Sequence, residues 1–156
     1  MEKNQKYSNL AKYIDQFSNL NVHVSYGKYA PHKPIMLLTI ISLIDSGEIW
    51  KNAIQPTDKL RTIFEALWMN YVHDNAGFEI ATWTPFWHLK NEPFWHFKPK
   101  EVGFDIESLA ATGQTAKIGD IRENIAYAYL DQELFDLLQD KEIRNLIKHQ
   151  LIETYL

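Results

Sequence analysis

Apolar residues recur at helical spacing along much of the chain. Between Tyr7 and Leu20, the residues Leu10, Tyr13, Ile14 and Phe17 fall on one face, which predicts an amphipathic helix. Asn21 to Pro31 carries Gly27 among aromatics and reads as an irregular loop. Pro34 suits the first turn of a helix, and Gly47 stands where that helix would stop. The run between them, Ile35 to Ile44, is apolar nearly all round and predicts a central buried helix. Thr57 is a good N-cap for a helix from Asp58 to about His73, with Leu60, Ile63, Phe64, Leu67, Trp68 and Tyr71 facing inward.

The pattern then changes. Glu48 to Gln55 reads as a short extended segment, and Phe78 to Lys98 is rich in Thr, Trp and Phe, residues that favour strands. Asn91-Glu92-Pro93 interrupts that stretch, which predicts a hairpin of Phe86–Leu89 and Phe94–Lys98. Ala110 to Thr115, around Gly113, reads as a loop. Three closing helices are expected: Ile118–Leu130, Asp131–Gln139 capped by Asp131, and Lys141–Tyr155. The expectation is a mainly α fold with a small β-hairpin, one domain over residues 1–156.

Composition narrows the class. A chain of 156 residues can bury roughly 68–70% of its unfolded surface without staples. With no cysteine, disulfides, thiolate zinc sites and thiol nucleophiles are excluded. The longest apolar run, Ile35–Ile44, falls far short of the ~20 residues that span a bilayer, so no membrane partner and a cytoplasmic location are expected. The net charge of −4 is uneven: residues 1–100 carry +2 and residues 101–156 carry −6. Gln16 to Ile44 has no carboxylate, and Ile80 to Lys100 has only Glu92. These windows hold His23, Lys28, His32, Lys33, His88, Lys90, His96, Lys98 and Lys100, so an anion could dock there without like-charge repulsion.

Catalytic signatures are missing. None of the six histidines shows the i, i+4 spacing of a helical zinc motif, and His73-Asp74 simply stands at a helix end. No glycine-rich phosphate loop, nucleophile elbow or clustered His/Asn nuclease element occurs. The paired carboxylates Asp131/Glu133 and Asp140/Glu142 stand at helix starts, where they complement the dipole. The expected role is binding, with no cofactor and no metal.

Two segments exceed what structure alone requires. Tyr26-Gly-Lys-Tyr-Ala-Pro-His-Lys-Pro34 runs two aromatics and three cationic or titratable groups into a helix N-terminus, a setting that favours an anion. Trp83-Thr-Pro-Phe-Trp-His-Leu-Lys-Asn-Glu-Pro-Phe-Trp95 packs three tryptophans into 13 residues. The Pro31-His32-Lys33-Pro34-Ile-Met-Leu-Leu run, the Pro85-Phe86-Trp87-His88-Leu89 run closing on Trp95, and the late stretch Ala128 to Asp140 with Arg144 and Leu151–Tyr155 together resemble a family. That family is the sulfur-binding, phosphorothioate-recognising domain of HNH-containing, modification-dependent restriction endonucleases, and the resemblance covers roughly residues 25–156.

The resemblance implies a reader of phosphorothioate-modified double-stranded DNA in a restriction or phage-defence system. Its shallow apolar pocket accepts a sulfur in place of a non-bridging phosphate oxygen. Oxygen loses strong hydration on entering such a pocket, whereas the larger, more polarizable sulfur loses less. Carried over by motif position, Pro85 would supply the pocket wall and His88 would stand three residues on. Thr84 occupies the position where the family favours an aromatic. His32 and Lys33 would hold the modified linkage through charge-assisted contacts. Lys28, Tyr29 and Lys90 would extend the surface, and Gln114 in the later loop would approach base edges, where a glutamine can pair bidentately with adenine. Any nuclease activity would lie on a separate domain or partner. The alternatives are a reader of other modified or unmodified DNA with the same architecture, and a protein-interaction module built on the aromatic hairpin.

Overall fold

The computed structural model of the chain describes residues 2–73 and 77–156. Its elements begin with helix α1 (Lys3–Ser18), a small hairpin of β1 (Val24–Ser25) and β2 (Lys28–Tyr29), helix α2 (His32–Asp45) and helix α3 (Asp58–Tyr71). Helix α4 (Trp83–His88) follows, then a 3₁₀ turn (Leu89–Asn91) and strand β3 (Trp95–Pro99). A second 3₁₀ turn (Ile106–Leu109), α5 (Ile118–Asn124), β4 (Ile125–Leu130), α6 (Gln132–Leu137) and α7 (Lys141–Tyr155) complete the order.

Helix α2 is the centre, as its all-round apolar sequence predicts: of its 14 residues only His32, Ser42 and Asp45 escape burial. It packs against α3, α4 and α7, while α1 lies across α6 and α7. Gly47 ends the run with φ 81°, a left-handed conformation that relieves the helix C-terminus. Helix α3 starts on its expected cap, with Thr57 Oγ1 accepting from the Leu60 amide at 3.1 Å. Helix α7 starts on Asp140, whose carboxylate accepts from the Glu142 amide at 2.9 Å.

Four expectations are corrected. The first is the hairpin of Phe86–Leu89 and Phe94–Lys98. Phe86 to His88 belongs instead to α4, which runs into the 3₁₀ turn, and β3 takes its antiparallel partner from β4, with Trp95 opposite Leu130 and Lys98 opposite Tyr127. Phe86 and Leu89, three residues apart, are both fully buried, so a short helical spacing serves the core here. Pro85 is tolerated because first-turn amides have no partner within the helix.

The second correction is the helix Ile118–Leu130, which breaks at Asn124. The alternation that places Ala128 and Leu130 inward and leaves Tyr127 and Tyr129 half-exposed has strand period. Residue Ile54 bridges Ala128 from the other edge of β4, so the extended reading of 48–55 survives only at that point. The third concerns the loop Asn21–Pro31, which contains the β1–β2 hairpin. The fourth is the cap at Asp131, which precedes α6 without a capping bond, because its carboxylate takes the His96 ring at 2.6 Å and the Tyr13 hydroxyl at 2.8 Å.

One apolar cluster fills the interior. Phe86 is its aromatic hub, meeting Trp83 and Trp95 edge-on at 5.8 and 5.5 Å. Trp87 stacks on Phe97 at 5.6 Å. The fold is mainly helical with two small two-stranded sheets, in accord with the predicted class. No described helix is long and apolar enough to cross a membrane.

Candidate nucleic-acid interface

Two of the candidate residues, His32 and Lys33, stand in the first turn of α2. Pro31 precedes it and Pro34 lies within it, so both prolines fix φ and one first-turn amide is missing. Consecutive residues on a helix diverge by about 100°, and His32 and Lys33 accordingly part company.

Lys33 turns inward. Its ammonium donates to Glu92 Oε2 at 2.6 Å and to the Asn21 carbonyl at 2.8 Å. The lysine side chain keeps 10% of its exposure and the glutamate 2%, so the pair is shielded from water. Glu92 Oε2 also accepts from the Asn21 amide at 3.1 Å, which ties the segment leading into the β1–β2 hairpin to the end of the 3₁₀ turn. Glu92, the single acid of its window, is therefore spent on Lys33.

His32 turns the other way. Its ring lies against Trp68 at 4.8 Å and meets Phe78 edge-on at 6.1 Å. Its Nε2 stands 2.7 Å from the Glu79 carbonyl, and a carbonyl only accepts, so Nε2 carries the proton. Burial pushes the imidazole below its ordinary value, while the Glu79 bond opposes this more weakly. The folded ring is neutral at pH 7.

Helix α4 presents the second group. Thr84 and His88 stand one turn apart on the same face and are both half-buried. Pro85, expected as an open pocket wall, is buried within the helix's packed side. His88 Nε2 lies 3.0 Å from Thr115 Oγ1, and the Trp87 indole donates to the Gln114 carbonyl at 3.1 Å, so α4 fixes the 112–115 loop. Burial lowers the pKa of His88, and the neighbouring Lys33 and Lys90 charges lower it further. Lys90 extends over the Trp87 ring at 4.9 Å and meets both oxygens of Glu107 at 2.9 Å. Its charge is partly compensated, and its side chain is pinned rather than free.

These contacts shape two hollows. A depression of about 280 Å³ is lined by Trp87, His88, Lys90, Glu107 and Gln114, with Ala110 to Gly113 as its far wall. A second, of about 410 Å³, is lined by Lys28, Tyr29, Pro31, Tyr71, Phe78 and Tyr155. Tyr29 rests edge-on against Tyr155 at 5.3 Å. The candidates thus divide: His88, Lys90 and Gln114 share one hollow, Lys28 and Tyr29 the other, and Lys33 is buried. The sequence gives no site role to Glu92 or Glu107, and it offers Thr115 only as part of the loop 112–115 near base edges. Of the two acids only Glu92 carried a signal, as the lone acid among cations. Among the described residues no group of His, Asp and Glu is arranged to hold a metal ion, and Asp74 lies outside them.

A family model for ScoMcrA-like DNA sulfur-binding domains matches residues 10–156. Two solved structures share the fold. The sulfur-binding and SRA domains of ScoMcrA complexed with phosphorothioated DNA align at 20% identity and TM-score 0.66, over 92% of this chain and 42% of that one. The sulfur-binding domain of ScoMcrA alone, also complexed with phosphorothioated DNA, aligns at 20% identity and TM-score 0.65, over 92% of this chain and 86% of that one. This chain spans less than half the length of the two-domain structure. No curated protein matches it.

Proposed function

The chain belongs to the family of ScoMcrA-like DNA sulfur-binding domains, and from that premise we propose that it reads phosphorothioate-modified duplex DNA and performs no catalysis of its own. The observation that carries the reading is the family match over 10–156, which includes the α2 first turn, α4 and the loop that α4 anchors. In this reading the chain is one reading domain of the cytoplasm, and cleavage, where it follows, belongs to another domain or a partner protein.

The division of labour follows the geometry. The modified linkage lies along the Thr84–His88 face of α4, with Pro85 beneath it as an apolar floor rather than an open wall. A neutral His88 offers its ring there without the strong hydration of an imidazolium, which suits a weakly hydrated sulfur. Gln114, backed by the Trp87 indole, is exposed and reaches base edges. Lys28 and the exposed Lys98 approach phosphates, Lys90 joins them where a phosphate displaces Glu107, and Tyr29 flanks them. Lys33 acts from within, holding the α2 turn against Asn21 and Glu92.

Burial of Pro85 and the presence of Thr84 favour one rival, a reader of the same architecture for other DNA, because little ring surface is open for sulfur. A mobility-shift titration separates the two. Matched duplexes with and without a single phosphorothioate are titrated at two salt concentrations. Preferential retardation of the modified duplex, weakening with salt, supports the proposal. Equal retardation of both supports the rival, and retardation of neither leaves a protein-interaction module.

A further inference from the structure

The tip of the β1–β2 hairpin breaks a local rule. Pairing of Val24 with Tyr29 and Ser25 with Lys28 leaves Tyr26 and Gly27 as a two-residue loop. Both have positive φ, 51° and 74°, the pattern of a type I′ turn. Such turns are ordinarily filled by Asn-Gly, because a bulky side chain in the left-handed region crowds its own backbone. Tyr26 is the only non-glycine residue with positive φ among the described residues.

The fold gains nothing visible from this ring. It is 92% exposed and, among the described residues, stacks on no other aromatic. A residue that strains the backbone and leaves 92% of its surface open is suited to a contact outside the chain. The surroundings indicate what that is. Val24 and Tyr29 beside the tip are half-exposed or more, Lys28 is exposed, and no carboxylate occurs from Gln16 to Ile44. The base of the hairpin is tied by the Ala30 amide to the His23 carbonyl at 2.7 Å, and Pro31 then leads directly into the α2 turn. The result is a narrow two-stranded ribbon with an aromatic tip and a lysine flank, carrying no acid of its own, with Glu153 across the hollow that Gly27, Lys28 and Tyr29 line.

We infer that Tyr26 is a DNA wedge: the β1–β2 ribbon enters a groove of the duplex and the Tyr26 ring stacks on base or sugar surface there. The inference rests on the DNA-reading role proposed above. A major groove admits a two-stranded ribbon, and a ring that wedges between base steps, partly unstacking them, meets base faces that every sequence has. The ring therefore adds affinity for modified and unmodified duplexes alike and leaves recognition of the sulfur to the α4 face.

Tyr26→Asn tests this, because the structural and functional effects have opposite signs. Asparagine suits the left-handed turn, so thermal unfolding of the variant should shift up by a few degrees relative to wild type. Affinity should fall about tenfold for both duplexes in a mobility-shift titration, with their ratio unchanged. Tyr26→Phe, which keeps the ring, should bind within about twofold of wild type. Binding of Tyr26→Asn within twofold of wild type overturns the wedge, as does a loss of binding accompanied by a lower unfolding temperature. If wild type retards neither duplex, the DNA-reading role itself falls and takes the wedge with it. Wild-type binding with an indifferent Tyr26→Asn removes the wedge alone.

Discussion

Replacing Glu92 by glutamine removes one charge from a pair that has almost no access to water. The two groups stand 2.6 Å apart, which at an effective dielectric of 20 corresponds to an attraction of ~6 kcal/mol, much of it offset by the desolvation of both ions. Removing one partner strands the other charge in the interior, a loss that typically costs ~3–5 kcal/mol. Glutamine keeps the volume and one acceptor for Lys33 and the Asn21 amide, so Glu92→Gln belongs at the lower end, ~3 kcal/mol. For a domain of this size that lowers the unfolding midpoint by roughly 6–12 °C. Lys33→Met should cost at least as much, because it leaves a bare carboxylate. The double variant Lys33→Met/Glu92→Leu removes both charges and should recover to within ~1 kcal/mol of wild type. Urea unfolding of these four proteins together with Glu92→Leu closes the cycle. Single variants that each cost under ~1 kcal/mol, or a double variant as unstable as their sum, would refute the buried-pair reasoning. Since the ammonium is spent inside the fold, the stable double variant should also keep the wild-type salt slope for DNA binding.

Other consequences can be measured on the same material. Phe86→Ala empties the aromatic hub between Trp83 and Trp95 and should cost ~3–5 kcal/mol in urea unfolding. His32 and His88 both have folded pKa values below the ordinary 6.5, so the unfolded chain takes up protons first as pH falls. Their contribution to stability is full above pH 6.5 and is lost as pH falls through the lower folded values, so the urea midpoint should drop between pH 7 and 5, less steeply in His88→Gln. Thr84→Tyr adds ring surface to the α4 face and should raise the ratio of affinities for modified over unmodified duplex by about tenfold, read by competition titration. An unchanged ratio would separate Thr84 from the sulfur contact.

Local signals were legible and long-range ones were not. The start of α3 on Thr57, the start of α7 on Asp140 and the stop at Gly47 each depend on a few adjacent residues, and each stands where the pattern predicts. Strand β3 depends on a partner some thirty residues away. The aromatic run around Trp95 announces extended structure but does not name β4, and the aromatics of α4 are the nearer partners in sequence. The Tyr127/Tyr129 alternation held the missing signal, obscured because Ile118 to Asn124 begins as a true helix. At the candidate site, adjacency misled in the opposite direction. His32 and Lys33 look like one cationic pair in the sequence, yet helical geometry sends one ring against Trp68 and buries the other side chain on Glu92, 59 positions away. The link from His88 to Thr115, and that from Trp87 to Gln114, cross 27 positions and leave no trace in either segment.

The central claim is that sulfur itself is held against an apolar protein surface, and chemical protection addresses it without recourse to affinity. Iodine cleaves DNA at phosphorothioate linkages. A duplex bearing one such linkage in each diastereomer is saturated with the protein, and cleavage is followed beside a control phosphorothioate placed outside the bound segment. The account predicts that one diastereomer is shielded at the bound linkage while the control is cut at the free rate. Equal cutting at both linkages in a fully retarded complex would contradict it.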